Sequence, residues 1–259
     1  MGRLSAWWRS RVLARERRRY AQADWDAAWG SLPLLAGLNP AQSIRLAELA
    51  VLFLRDKRIE PAQGLVLTAQ MRLTIALLAG LPILGLGLDW YRGWYSVILY
   101  PAAFIPAHEY TDADGLVQVD DQVKGGEAWE RGPVILSWAD VAAGCRLDGY
   151  NVVVHELAHK LDMLNGRPNG RPPMHGDMSG AAWTRDLSAA FADLGRRVDA
   201  GAQTPLDPYG AESPGEFFAV ASEAFFETPR VLHAEYPAVY AQLRAFYRQD
   251  PLVRLGRGA

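Results

Sequence analysis

Apolar residues recur at helical spacing through the first part of the chain. Between residues 44 and 53 they occupy a broad face, which predicts a buried helix. Asn39 followed by Pro40 supplies an N-cap and a first helical residue for it. Residues 24–29 predict an earlier helix, and Thr68 can cap a later one that extends through Leu78. The first part of the chain is therefore expected to be mainly helical.

Short apolar runs bounded by glycine, proline or polar turns predict strands farther along. The clearest are residues 96–100, which stop at Pro101, and residues 132–138, after which Asp140 is expected to cap the next turn. Residues 64–67 and 116–120 are weaker candidates. Since helices precede and follow the strands, the order favours an α+β fold over repeated βαβ units. We expect a predominantly helical protein with a small mixed or antiparallel sheet.

One stretch, residues 151–165, carries the pentapeptide HELAH. In a helix, His155 and His159 lie one turn apart on the same face. Two neutral imidazoles at this spacing can bind one zinc ion, and the adjacent Glu156 can activate a metal-bound water. Asn165-Gly166 would end the helix. The alternative is an amphipathic core helix that happens to contain two histidines.

A catalytic zinc site usually has three protein ligands, so the two histidines need a third. The best source is the segment 213–226, in which Ser213 and Pro214 begin an almost entirely apolar helix. Glu216 and Glu223 lie seven residues apart on one face of it. Buried carboxylates need a counter-charge, which a zinc ion with its histidines would supply. We interpret Glu216 as the ligand and Glu223 as its outer neighbour, although the residues alone allow the reverse order and allow Glu216 to act only as a helix cap.

Two other side chains near the HELAH helix could take part. Asp162, three residues after His159, could accept the outer N–H of a liganding histidine but is badly placed to reach the metal. His175 follows His159 by sixteen residues across the loop 166–180 and is interpreted as a loop histidine. Loops of this length beside a site often line it.

Composition excludes several classes of protein. Half of the residues are hydrophobic and 22% are charged, which is typical of a globular chain. The net charge of −2 gives no global attraction to nucleic acid, and the single cysteine, Cys145, cannot form an intramolecular disulfide. The longest uncharged apolar run, residues 73–88, contains Pro82 and is shorter than the ~20 residues of a membrane-spanning helix. These features predict a cytoplasmic protein with no transmembrane segment and no direct contact with nucleic acid.

Residues 1–20 combine Trp7 and Trp8 with a dense set of arginines. They could form a basic amphipathic helix that touches a membrane or an acidic partner. The simpler interpretation, which we favour, is a solvated terminal helix or extension.

Several segments together resemble a known family: LPILGLGLDWYRGWYSVILYPAAF, GPVILSWADV, HELAHKLDMLNG, DPYGAESPGEFFAVASEAFFETP and FYRQDPLVRL. They are similar to the Mlc titration factor A family, bacterial zinc peptidases of the HExxH-plus-Glu type that are distantly similar to the anthrax lethal factor catalytic domain. The resemblance implies a zincin-like fold and one zinc ion per chain, held by His155, His159 and Glu216. It also implies Glu156 as the general base and Tyr209 as the hydroxyl that stabilises the oxyanion. A phenol aimed at the developing charge would complement the metal; the residues alone would make Tyr209 a surface side chain.

The resemblance further implies aminopeptidase-like activity on peptide substrates and binding to a glucose-regulon repressor of the Mlc type. Alternatively, the protein acts mainly by sequestering that repressor, with hydrolysis secondary, or serves as a non-catalytic zinc scaffold. The strand at residues 132–138 is expected to align an extended peptide. The arginine-rich terminus and the loop 166–180 depart from the family pattern. The domain prediction is one zinc-peptidase domain over residues 1–259, with a basic helix or flexible extension at 1–20, a helical part at 21–64 and a catalytic core at 65–259.

Overall fold

The computed structural model describes residues 13–103 and 132–256, and the backbone of three short strands between those ranges. Residues 13–17 are helical and are named α1. Trp7 and Trp8, on which the prediction of an amphipathic helix depends, lie outside the described residues.

Three helices follow α1: α2 (Gln22–Gly30), α3 (Pro40–Asp56) and α4 (Ala69–Gly80). Both predicted caps are confirmed. The Asn39 side chain accepts a hydrogen bond from the Gln42 amide at 2.9 Å, and the Thr68 hydroxyl accepts one from the Met71 amide at 3.1 Å. All residues of α4 from Leu73 onward are buried, since this helix packs against α2 and α3 on one side and the helix that carries HELAH on another.

The sheet has four strands in the order β1-β2-β6-β5. The strands are β1 (Arg58–Pro61), β2 (Ser96–Tyr100), β5 (Gly126–Ala128) and β6 (Val134–Ser137). β1, β2 and β6 are parallel, and β5 pairs antiparallel with β6. A separate antiparallel pair consists of β3 (Glu109–Thr111) and β4 (Val117–Val119).

This topology corrects the sequence prediction at several points. The prediction of an antiparallel sheet is wrong for β1, β2 and β6, which are parallel. The connection from β1 through α4 to β2 is a βαβ unit. The strand β1 has only Ile59 buried and lacks an apolar run, so its pattern is weak. Residues 64–67, predicted as a strand, form the loop before α4. Ser137 rather than Asp140 caps the helix after β6, because its hydroxyl accepts the Asp140 amide hydrogen at 3.3 Å.

After β6 the described residues form seven further helices, which confirms the predominantly helical prediction. The helices are α5 (Trp138–Ala143), α6 (Val152–Asp162), α7 (Gly180–Asp199), α8 (Pro214–Glu227), α9 (Pro229–Glu235), α10 (Pro237–Tyr247) and α11 (Pro251–Gly256). Short 3₁₀ turns occur at Pro33–Leu35, Leu88–Tyr91, Met163–Asn165 and Pro208–Ala211. Helices α6 and α8 pack directly against each other, and α8 is buried from Phe217 to Glu227. Among the described residues, no helix combines the length and the apolar character needed to cross a membrane.

Candidate metal centre

Helix α6 begins at a well-defined cap and presents both histidines on one face. The Asn151 side-chain oxygen accepts the Val154 amide hydrogen at 3.1 Å, which satisfies one of the free donors of the first turn. Val153, Val154 and Leu157 are buried on the core side. The imidazoles of His155 and His159 lie with ring centroids 4.9 Å apart, as the spacing of the pentapeptide predicts.

Helix α8 brings Glu216 to these two rings. The Glu216 Oε2 atom lies 3.0 Å from His155 Nε2 and 3.2 Å from His159 Nε2, and the two Nε2 atoms are 3.2 Å apart. On a tetrahedral ion with bonds of about 2.0–2.1 Å, two ligand atoms lie about 3.3 Å apart. The three donors thus already have nearly the spacing of one face of a tetrahedron. Two imidazole nitrogens and one carboxylate oxygen form a donor set that fits a divalent metal ion.

The electrostatics of the cluster favour a cation. Burial lowers the pKa of His155, but hydrogen bonds to the Glu216 and Glu223 carboxylates outweigh it and hold that pKa well above the ordinary value. Burial raises the pKa of Glu216, but its contacts with the two histidines lower it far below the ordinary carboxyl range. The Glu216 side chain is 21% exposed and that of His155 12%, so the face of the cluster is accessible to a ligand.

Glu223 lies on the opposite side of the His155 ring. Its Oε1 atom is 2.7 Å from His155 Nδ1, and its Oε2 atom accepts the backbone amide hydrogen of Asn151. Since Nε2 faces Glu216 and Nδ1 faces Glu223, the two carboxylates are separated by the imidazole. The geometry therefore supports Glu216 as the residue on the metal face and Glu223 as the acceptor that orients the ring.

A third carboxylate, Glu227, continues this row at the end of α8. Its Oε1 atom accepts a hydrogen bond from the side-chain Nδ2 atom of Asn151 at 2.8 Å, and the same Nδ2 atom donates to the Gly144 carbonyl oxygen at 3.0 Å. Burial raises the pKa of Glu227 to about 7. The sequence alone assigned no role to Glu227. The available signal was its spacing of four from Glu223 on an apolar helix.

Asp162 does not have the predicted role. Its carboxylate accepts the backbone amide hydrogens of Asn169, Gly170 and Arg171 at 2.7–2.9 Å. The outer nitrogen of His155 is bonded to Glu223, and His159 Nδ1 makes no hydrogen bond to any described residue. Asp162 orders the start of the loop 166–180 because three consecutive amides converge on it. The prediction that it accepts a histidine N–H is therefore wrong.

His175 is a loop histidine, as predicted. Its Nε2 atom lies 2.8 Å from the Phe246 carbonyl oxygen, and its ring packs against Trp90 at a centroid distance of 5.3 Å. It is not part of the cluster formed by His155, His159 and Glu216, whose ligand atoms all lie within 4.8 Å of one another.

Tyr209 lies beside the cluster on the 3₁₀ turn Pro208–Ala211. The Asp207 carboxylate caps this turn by accepting the Tyr209 amide hydrogen at 2.9 Å. Gly210 holds the turn close to α8, since a Cβ atom there would lie 3.3 Å from Val220 Cβ. The Tyr209 ring is 38% exposed, and its centroid is 6.0 Å from that of His155. The turn thus brings a phenol to the rim of the cluster.

Behind the cluster, a buried lysine joins α6 to the start of β6. Lys160 Nζ donates to the Gly132 carbonyl oxygen at 2.9 Å and lies 5.3 Å from the centre of the Trp94 ring. Burial lowers the pKa of Lys160 to about 8, against the attraction of Glu156, which is itself 5% exposed. Lys160 could not be identified from local sequence, because its contacts come from residues far away in the chain.

Comparison with known proteins agrees with this geometry. The family described as glucose-regulated metallo-peptidase M90 matches residues 4–248. Mlc titration factor A of Yersinia pestis (strain Pestoides F) is 43% identical over 242 residues, which cover 91% of this chain and 89% of that protein. The protein of the same name from Yersinia pseudotuberculosis serotype O:1b (strain IP 31758) matches with the same identity and coverage. The chain belongs to the M90 family of glucose-regulated metallo-peptidases.

Proposed function

We propose that the protein is a zinc-dependent peptidase with aminopeptidase-like activity. The observation that carries the proposal is the convergence of His155 Nε2, His159 Nε2 and Glu216 Oε2 within 3.0–3.2 Å of one another. This arrangement leaves the remaining coordination positions for water and substrate, as in catalytic zinc sites. Glu156, the second residue of HELAH, follows the first ligand directly.

A zinc ion held by His155, His159 and Glu216 would act as a Lewis acid on the scissile carbonyl and on a water molecule. Glu156 accepts the proton of the attacking water and delivers it to the leaving amine. Tyr209 donates its phenolic hydrogen bond to the carbonyl oxygen as negative charge develops there. Glu223 keeps the His155 ring oriented through Nδ1, so that Nε2 remains directed at the metal.

Metal analysis combined with peptide-amide turnover tests the proposal. The wild-type protein is expected to contain one zinc ion per chain and to release the N-terminal residue of short peptides with a free amine. The Glu156→Gln variant should keep its zinc and lose turnover, whereas Glu60→Gln, an exposed change of the same type on β1, should retain both. Turnover that persists in Glu156→Gln refutes the mechanism. Equal cleavage of N-acetylated peptides refutes the aminopeptidase assignment alone.

A second function is favoured by the name of the relatives. The relatives that are 43% identical to this chain over 242 residues carry the name Mlc titration factor A. We propose that the protein also binds a repressor of the Mlc type in the cytoplasm, and that this binding needs no hydrolysis. Complex formation with such a repressor, measured by calorimetry, should be unchanged in Glu156→Gln. If neither the wild type nor Glu156→Gln forms a complex with the repressor at micromolar concentration, the binding proposal fails and the peptidase proposal is unaffected.

A further inference from the structure

A cavity of about 310 Å³ is lined by residues of segments that lie next to the candidate ligands and Tyr209 in the chain. Residues 148–150 before α6, residues 204–207 before the Tyr209 turn, and α8 around Val220 and Ala224 line it. Its volume is at the lower end of ligand pockets, enough for one amino-acid side chain.

The cavity adjoins the turn that carries Tyr209, because a Cβ atom at Gly210 would lie 3.3 Å from the Cβ atom of the lining residue Val220. Tyr150 is five residues before His155, and the Asp207 carboxylate is hydrogen-bonded to the Tyr209 amide at 2.9 Å. Val220 lies one helical turn after Glu216, so it flanks the face of α8 that carries the carboxylates. Each of the three walls is therefore the continuation of a segment that carries a candidate metal ligand or Tyr209.

The lining has an apolar floor and an acidic rim. Leu206, Val220 and Ala224 are buried at 6%, 3% and 3% exposure and form the floor. Asp148 and Asp207 lie exposed at the rim, and no basic side chain is among the described residues that line the cavity. An aliphatic stem that ends in a positive charge complements such a surface, because its methylene groups contact the floor while its cation stays at the wet rim.

We propose that this cavity is a specificity subsite that accepts the side chain of arginine or lysine next to the scissile bond of the substrate. The assignment rests on the proposed peptidase function and names its preferred substrate class. Asp148 and Asp207 are then specificity-determining residues. Both also accept a backbone amide hydrogen, from Tyr150 at 3.2 Å and Tyr209 at 2.9 Å, so their carboxylates are held in place.

Binding of aminoacyl hydroxamates tests this without requiring turnover. The probes are arginine, leucine and glutamate hydroxamates, whose hydroxamate group chelates zinc while the side chain samples the neighbouring surface. Calorimetry on the zinc-loaded protein is expected to rank them arginine, then leucine, then glutamate. Kinetics with the matching aminoacyl amides should rank kcat/KM in the same order.

Charge removal at the rim should abolish the preference. In Asp148→Asn/Asp207→Asn the amide oxygens can still accept the two backbone hydrogens, but the charges are gone. The affinity ratio of arginine over leucine hydroxamate is expected to fall roughly two- to thirtyfold, the range for two exposed ion pairs. A double variant with the same charge change elsewhere, Glu60→Gln/Asp199→Asn, should leave the ratio unchanged.

An added rim cation offers a second test with little risk to folding. Val231 lines the cavity and is 40% exposed, so Val231→Lys should disfavour arginine hydroxamate and leave leucine hydroxamate unaffected. Val253→Lys, at a position 48% exposed on α11, is the matched control. An arginine-to-leucine ratio that is close to one in the wild type, or that survives both changes, overturns the subsite. If hydroxamates bind with the expected ranking and no amide is cleaved, the subsite stands and the peptidase proposal fails.

Discussion

The two carboxylates that flank His155 should differ in their effect on metal affinity. Glu216 Oε2 lies 3.0 and 3.2 Å from the two Nε2 atoms, in the position of a direct ligand. Glu223 Oε1 lies 2.7 Å from Nδ1, on the far side of the ring. We therefore predict that Glu216→Gln weakens zinc binding far more than Glu223→Gln does.

The magnitudes follow from the number of bonds that each change removes. Structural zinc sites with four ligands bind with about 10–16 kcal/mol, so one ligand contributes roughly 2.5–4 kcal/mol, or about 10²–10³ in affinity. Loss of a group that orients a ligand histidine reduces metal affinity about 10–100-fold. The expected order of affinity is wild type, then Glu223→Gln, then Glu216→Gln, with about tenfold between the two variants.

Competition with a chromophoric chelator at constant pH measures both constants, and the thermal midpoint of the metal-free proteins checks that each variant is folded. Cobalt substitution adds a direct probe. Loss of the Glu216 carboxylate should change the cobalt absorption spectrum as a ligand replacement does, whereas Glu223→Gln should shift its bands only slightly. If Glu216→Gln binds zinc as tightly as the wild type while Glu223→Gln does not, the assigned order of the two residues is reversed.

Three further predictions concern other residues. Tyr209→Phe should lower kcat about 10²–10³-fold with little change in KM, because only the transition-state hydrogen bond is lost, and Tyr95→Phe, at a ring 73% exposed, should be silent in the same assay. Glu227 binds its proton more tightly when folded, since burial raises its pKa from 4.5 to about 7, so its contribution to stability is lost as pH rises through that window. Glu227→Gln should remove this loss. In urea unfolding with chelator present, the free energy of unfolding of the variant relative to that of the wild type should rise by about 2–3 kcal/mol between pH 4.5 and 8. A difference in unfolding free energy that stays constant with pH contradicts the assignment of Glu227 as a buried acid. Gly170→Ala should destabilise the protein by about 1–3 kcal/mol more than Gly64→Ala does. Both glycines have positive φ, but only a Cβ atom at Gly170 would collide with a backbone atom, the Pro214 carbonyl oxygen; equal thermal shifts would rule out that contact.

The parts of the site that are local in the chain were predictable from the sequence. The spacing of His155 and His159 follows from helical periodicity, and Ser213-Pro214 marks the start of the helix that carries Glu216. Strand β2 was predicted with its observed bounds, since its apolar run stops at a proline. Each of these features is encoded within one turn or one strand.

The parts that depend on distant contacts were not predictable. The Asn151 side chain donates a hydrogen bond to Glu227, which is 76 positions away in the chain. Lys160 donates one to the carbonyl oxygen of Gly132, which is 28 positions away. Strand β1 is recognisable only from its partner β2, because Ile59 alone is buried. Asp162 shows the same limit, since helical geometry placed it near His159 but three loop amides compete for its oxygens. Hydrophobic periodicity predicts which side chains face the core, but it does not predict which residues they contact there.

The row of carboxylates on α8 shows how one helix can hold one partly exposed and two buried acidic side chains. Glu223 and Glu227 follow Glu216 by seven and eleven residues, so all three lie within about 20° of one line along the helix. Each contacts a different side-chain atom on α6 or its cap. Glu216 contacts the Nε2 atoms of both histidines, Glu223 contacts His155 Nδ1, and Glu227 contacts the side-chain Nδ2 atom of Asn151. The pKa of Glu216, beside two imidazoles, is lowered, whereas the pKa of Glu227, which has only neutral donors, is raised to about 7. The negative charge is thus concentrated at the end of α8 where a metal ion would bind, and the acid farthest from that end can take up a proton rather than remain a buried charge without a cation.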